Sequence, residues 1–235
     1  FKGHELTGFG GALKNLGMGS AARRGKLDQP SDLKPKVVRR KCIGCGRCIE
    51  YCAHDALHLV VAEDGHGAKL NDGSKKAAIN SERCAGCAAC IPTCPAEAIA
   101  VPWENDAPKV MRKMVEYAKA ALKGKERRAI FVNFLIDISP LCDCNNHSDA
   151  PIVQNLGIMA SRDPVALDAA SAEAVNQAAG LAGTALPAEA LSAGSDKWQA
   201  LHPDCPWRYQ LEYAEEIGLG TQDYQLIWLP EVKGI

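Results

Sequence analysis

Residues 41–59 read KCIGCGRCIEYCAHDALHL, and residues 83–101 read RCAGCAACIPTCPAEAIAV. Laid over each other, they align every cysteine at a constant offset of 42 positions, from Cys42 with Cys84 to Cys52 with Cys94. The same offset places Gly44 on Gly86 and Leu57 on Ile99. Such self-similarity marks two copies of one supersecondary unit related by an approximate two-fold axis. PKVVRR (35–40) and KAAIN (76–80) are short extended runs ahead of the two cysteine loops, and LHLVV (57–61) and IAVPW (99–103) read as the strands behind them. Between the copies, EDGHGAKLNDGS (63–74) is turn-rich and reads as a surface hairpin or loop.

Each copy spells C-x2-C-x2-C-x3-C, and the second adds a proline, Pro95, after its last cysteine. Over about residues 35–103 this resembles the two-cluster ferredoxins of bacteria, in which three thiolates of a tight loop reach three irons of one cubane and the fourth cysteine serves the other cluster. The resemblance implies that Cys42, Cys45, Cys48 and Cys94 hold one 4Fe-4S cluster and that Cys84, Cys87, Cys90 and Cys52 hold the other. The first copy departs from the pattern where Ala53, not proline, follows Cys52, though its ligands all remain. Structural zinc also uses C-x2-C pairs, but two zincs normally take two separated pairs each. His54, two positions after Cys52, either tunes a cluster by charge or hydrogen bonding or simply faces solvent. Arg23, Arg24, Lys26, Lys34, Lys36, Arg39, Arg40 and Lys41 crowd the approach to the first loop, either steering an acidic electron-transfer partner or forming a solvated linker.

At 235 residues the chain can bury a substantial core without covalent cross-links. Its eleven cysteines, an odd number, argue against a closed set of disulfides and for metal binding where thiols stay reduced. A formal net charge of -1 gives no case for nucleic-acid binding through a broad basic field. No apolar run approaches the roughly 20 residues of a membrane span, and the start lacks a signal pattern. The expectation is a soluble, cytoplasmic protein working under anaerobic conditions, with a redox partner protein. Because the chain starts at Phe1, inside what reads as a domain, it is expected to be a processed or truncated product.

Outside the repeats the pattern changes. VMRKMVEYAKAALKGK (110–125) repeats apolar residues at helical spacing, with lysines opposite, and stops near Gly124. AIFVNFLIDI (129–138) is continuously apolar, as in a strand covered on both faces, and NLGIMAS (155–161) reads as a second buried strand. SRDPVALDAASAEAVNQAAG (161–180) opens a helix with Asp163 as N-cap and Pro164 first. WRYQLEYAEEIGLG (207–220) is a helix closed by Gly218, and DYQLIWL (223–229) is a terminal strand. Strand, helix and strand in this order predict parallel pairing. The ends of the strands would then bring Cys142, Cys144, His147, Asp163 and Asp168 toward one crevice.

Cys142 and Cys144, in LCDCNNHSD (141–149), stand apart from the repeats. They are either two core cysteines or, with Cys205 and one of His147, His202 and His4 or an asparagine, the ligands of a third iron-sulfur or metal centre. GFGGALKNLGMGS (8–20) presents closely spaced glycines that either cradle a phosphate or flavin, with Lys14 and Asn15 alongside, or permit tight packing. It fits neither nucleotide-binding spacing.

FKGHELTGFGGALKNLGMGSAARRGK (1–26), the cysteine runs, CDC and SRDPVALD together resemble the iron-sulfur proteins of domain of unknown function 362, over nearly the whole chain. The resemblance implies an α+β or α/β protein: a two-cluster ferredoxin-like domain (35–103) inserted in a partly truncated α/β sheet domain made of a Gly-rich segment (1–34) and residues 104–235. The resemblance also implies that an α/β segment precedes FKGH, so that the chain pairs with a missing N-terminal segment or a companion chain; it implies no particular reaction. The functional expectation is that the clusters pass electrons to or from a third metal or flavin centre in a redox enzyme. The alternative is a non-catalytic relay or assembly subunit whose CDC loop is structural.

Overall fold

The computed structural model describes residues 1–30, 34–61, 75–87, 89–100, 107–125, 128–142 and 149–229. The elements, in order, are β1 (Lys2–His4), β2 (Gly8–Gly10), α1 (Ala12–Lys14) running into a π-helical turn (Asn15–Gly19), α2 (Arg23–Asp28), β3 (Lys36–Val37), α3 (Arg47–Glu50), β4 (Leu57–Val61), β5 (Lys75–Ile79), β6 (Ile99–Ala100), α4 (Ala107–Leu122), β7 (Phe131–Leu135), β8 (Gly157–Ser161), α5 (Pro164–Gln177), α6 (Lys197–Leu201) and α7 (Tyr209–Glu216). They divide into two units, Ala22–Asp106 and a larger one made of Phe1–Ala21 with Ala107–Ile235. The inserted unit therefore starts at Ala22, upstream of residue 35, and takes in α2. The fold class is α+β. Among the described residues no helix is long and apolar enough to cross a membrane.

In the inserted unit, β3 pairs with β6 and β4 with β5, both antiparallel. The strand before each cysteine loop thus pairs with the strand after the other loop. The registers agree: moving Leu57↔Ile79 by the repeat offset gives Ile99↔Val37, the pairing observed. The backbone repeats the relation, since Val38 N–H donates to Ala98 O and Asn80 N–H to Ala56 O, each at 2.7 Å. The two-fold axis expected from the repeat is present at the level of single hydrogen bonds. The intervening stretch 63–74 lies outside the described residues.

In the larger unit α4 follows its periodicity. Val110, Met111, Met114, Val115, Ala118 and Leu122 are buried, and Gly124 takes the left-handed conformation just beyond the helix. Asp163 caps α5 by accepting from Val165 and Ala166 N–H, with Pro164 next, and Gly218 ends α7 at a positive φ. Phe9, Leu13, Met114, Val165 and Trp198 meet in one core.

The sheet differs from expectation. Every pairing among the described strands is antiparallel, β7 with β8 included, from Phe131↔Ser161 to Leu135↔Gly157. Parallel strands need a long crossover, usually helical. No helix lies between β7 and β8 among the described residues, and the chain turns back on itself. Only one face of this ribbon is covered: Asn133 and Leu135 are buried, while Val132, Phe134 and Ile158 are exposed. Residues 223–229 form no strand, and Tyr224, Leu226, Ile227, Trp228 and Leu229 are exposed there with no strand partner.

Candidate metal centre

Eight of the cysteines sort into two hollows of the inserted unit. Cys42, Cys45, Cys48 and Cys94 line one, and Cys52, Cys84, Cys87 and Cys90 line the other. Each contains about 340 Å³ of space, counting what opens to solvent. The linings correspond through the repeat offset, so that Ala98 faces the first ring where Ala56 faces the second. His54 follows Cys52 to the second ring, where it is exposed.

The backbone explains the fourth ligand's crossing. After Cys52 and Cys94 the chain turns through Asp55 and Glu97, both at positive φ. These turns let Ala56 N–H donate to Cys52 Sγ and Ala98 N–H to Cys94 Sγ, each at 3.3 Å. Ala77 N–H donates to Cys42 Sγ at 3.4 Å. Such N–H···S contacts stabilise thiolates and raise the potential of a bound cluster. Gly44 is required twice over, by a φ of +70° and because a Cβ would lie 2.3 Å from Lys75 O. Burial pushes the Cys90 thiol up to about 11 and raises that of Cys48, whose rise is reinforced by Cys42. These donors, absent from the sequence reading, are detectable in hindsight because Ala56 and Ala98 obey the same offset.

Among the described residues no three His, Cys, Asp or Glu side chains form a group able to hold a single metal ion. A zinc ion would draw its sulfurs to about 2.3 Å from one point. Four thiols line each hollow.

The remaining candidates lie in the larger unit. Cys142 is buried and accepts from Lys14 Nζ at 3.2 Å. His4 is buried nearby, pushed down to about 3 first by burial and then by the charge of Lys14, with His202 and Lys2 adding to it. Its Nδ1 accepts from Leu6 N–H at 3.1 Å, so the neutral ring carries its proton on Nε2. His202 Nε2 lies 3.2 Å from Pro140 O, and burial is the main cause lowering its pKa. Cys205 packs with Ala107, Met111 and Tyr209, and burial pushes its thiol up to about 12. Cys144 and His147 lie outside the described residues.

Among the described residues the expected crevice is not assembled, because antiparallel pairing puts the loop after β7 and the turn after β8 at opposite ends of the ribbon. Asp163 is committed to capping α5 and to Thr221 N–H at 2.9 Å. Asp168 is fully buried and accepts from Ala12 N–H (2.7 Å), Leu13 N–H (2.8 Å) and Asn133 Nδ2 (2.8 Å). The amide groups that follow Gly10 and Gly11 therefore hold an anion of the protein's own. The neighbouring glycines serve close packing: a Cβ on Gly11 would lie 2.2 Å from Asp168 Oδ1, and one on Gly17 would lie 2.1 Å from Met114 O.

Residues 1–173 match the family described as domain of unknown function (DUF362). The chain belongs to that family. The DUF362 match takes in both thiol rings, Lys14, Cys142 and Asp168, and ends within α5, before His202 and Cys205. A search of the curated proteins finds no match to the chain.

Proposed function

We propose that this chain is an iron-sulfur electron-transfer protein whose inserted, ferredoxin-like unit holds two 4Fe-4S clusters, one on Cys42, Cys45, Cys48 and Cys94 and the other on Cys84, Cys87, Cys90 and Cys52. The observation that carries the reading is the sorting of eight thiols into two four-membered rings, each completed by a cysteine from the opposite repeat. When bound, such clusters accept and release single electrons. The chain's own part is to hold the thiolates, shield Cys42, Cys48 and Cys90 from water, and direct the N–H groups of Ala56, Ala77 and Ala98 at sulfur.

The test is iron, sulfide and zinc analysis of anaerobically purified protein. Two cubanes require about eight irons and about eight sulfides per chain. Colourless protein carrying stoichiometric zinc would overturn the proposal. The relay reading draws support from Asp163 and Asp168, whose carboxylates are spent on hydrogen bonds within the fold.

A further inference from the structure

The internal two-fold supplies a comparison, because residues related by the offset occupy corresponding positions of the two loops, although Arg47–Glu50 is helical where residues 89–92 form turns. Around the first ring the related positions carry Arg39, Arg40, Lys41, Ile43, Arg47 and Tyr51. Around the second they carry Ser81, Glu82, Arg83, Ala85, Ala89 and Thr93. The six at the first ring are all exposed, Ile43 at 67% and Tyr51 at 62%. Among the described residues no carboxylate pairs with Arg39, Arg40, Lys41 or Arg47. Glu50 is the one acidic residue in 39–51. At the second ring Glu82 offsets Arg83, which also meets Asp55 at 3.6 Å. Cys45 is exposed, whereas its counterpart Cys87 is half-buried. Four cations with no carboxylate partner among the described residues, two exposed apolar side chains and the one exposed thiol among the described cysteines thus coincide on one of the two loops related by the repeat.

We infer that the loop 39–51 is the docking surface for an acidic redox protein, which exchanges one electron through the first ring; this rests on the function proposed above. An apolar centre within a charged rim is the anatomy of a transient protein interface, and complementary charge mainly accelerates encounter and fixes orientation. Ile43 and Tyr51 supply the apolar centre of such an interface and favour a protein over a nucleic acid, which four cations alone would not distinguish, and the vesicle arm of the test separates a lipid surface. In each exchange the donor loses one electron and this chain gains it.

The test is the affinity of anaerobically purified full chain for a strongly acidic flavodoxin, by titration calorimetry at about 10 mM and about 1 M salt, where charges are felt over about 30 Å and about 3 Å. The proposal expects Arg39→Gln, Arg40→Gln, Lys41→Gln and Arg47→Gln combined to weaken binding roughly tenfold or more at low salt, with little difference at high salt. Arg83→Gln should bind as wild type does. Affinity unchanged in the combined variant, or independent of salt in the wild type, would overturn the inference. So would tighter binding of wild type to phosphatidylserine vesicles or to duplex DNA than to the flavodoxin. Should the combined variant fail to fold, the wild-type salt series still decides. Iron content is read separately: wild-type protein without iron sinks the proposed function, whereas a full complement with no charge-dependent binding sinks only the docking surface.

Discussion

The crossing of the fourth cysteine makes a prediction that single substitutions cannot fake. Cys94 belongs by sequence to the second repeat but lines the ring of Cys42, Cys45 and Cys48. Cys94→Ala should therefore cost the first cluster, lowering iron from about eight to about four per chain. The double variant Cys48→Ala with Cys94→Ala removes two ligands from that same ring and should also retain about four. Cys90→Ala with Cys94→Ala strikes both rings, because Cys90 lines the other hollow, and should leave almost none. Were each repeat to hold its own cluster, the two doubles would exchange outcomes. The assay is iron and sulfide analysis after anaerobic purification, with tryptophan fluorescence confirming that the larger unit, which contains Trp198 and Trp207, is folded in each variant. A Cys90/Cys94 double variant that keeps about four irons would refute the crossed assignment.

Three further predictions concern the larger unit. In Gly17→Ala the new Cβ would lie 2.1 Å from the Met114 carbonyl oxygen, so α4 and the π-helical turn must separate; we expect a loss of about 1–3 kcal/mol in urea unfolding. Stability equal to wild type, or the gain that alanine brings at an unhindered helical site, would contradict that packing. Burial raises Asp168 from 3.8 to about 6, so its contribution is fully present below pH 3.8 and is lost as pH rises through about 6, a change of about 3 kcal/mol. Wild-type stability measured relative to Asp168→Asn should fall by that amount across this window; a level difference would count against it. His4 works in the opposite sense, since a pKa depressed from 6.5 to about 3 gives stability present above pH 6.5 and lost as pH falls toward 3. His4→Gln should flatten that acid-side decline in thermal melts, and an unaltered decline would show that another group causes it.

The parts that were legible in the sequence are those fixed by local spacing. Cysteine spacing sorts the thiols, because the offset of 42 carries through to strand register and hydrogen bonds. Helical periodicity locates α4, and the Asp163–Pro164 pair locates the start of α5. Strand direction is not local. The run AIFVNFLIDI reads as buried on both faces, yet Val132 and Phe134 are exposed and the polar Asn133 faces the interior, where it donates to Asp168 and Ser171. That single asparagine, alternating with apolar neighbours, was the available sign of a one-sided strand. The glycine-rich stretch misleads for a related reason: the anion it binds is Asp168, 155 residues away from Leu13, and no local pattern reports such a partner.

The central claim, that this chain carries single electrons on two cubanes, is tested most directly by electron paramagnetic resonance of the anaerobic protein after reduction with dithionite. Each reduced 4Fe-4S cluster contributes one unpaired spin, so full reduction should give about two spins per chain. A silent spectrum from fully reduced protein, with no visible absorption lost on reduction, would contradict the account.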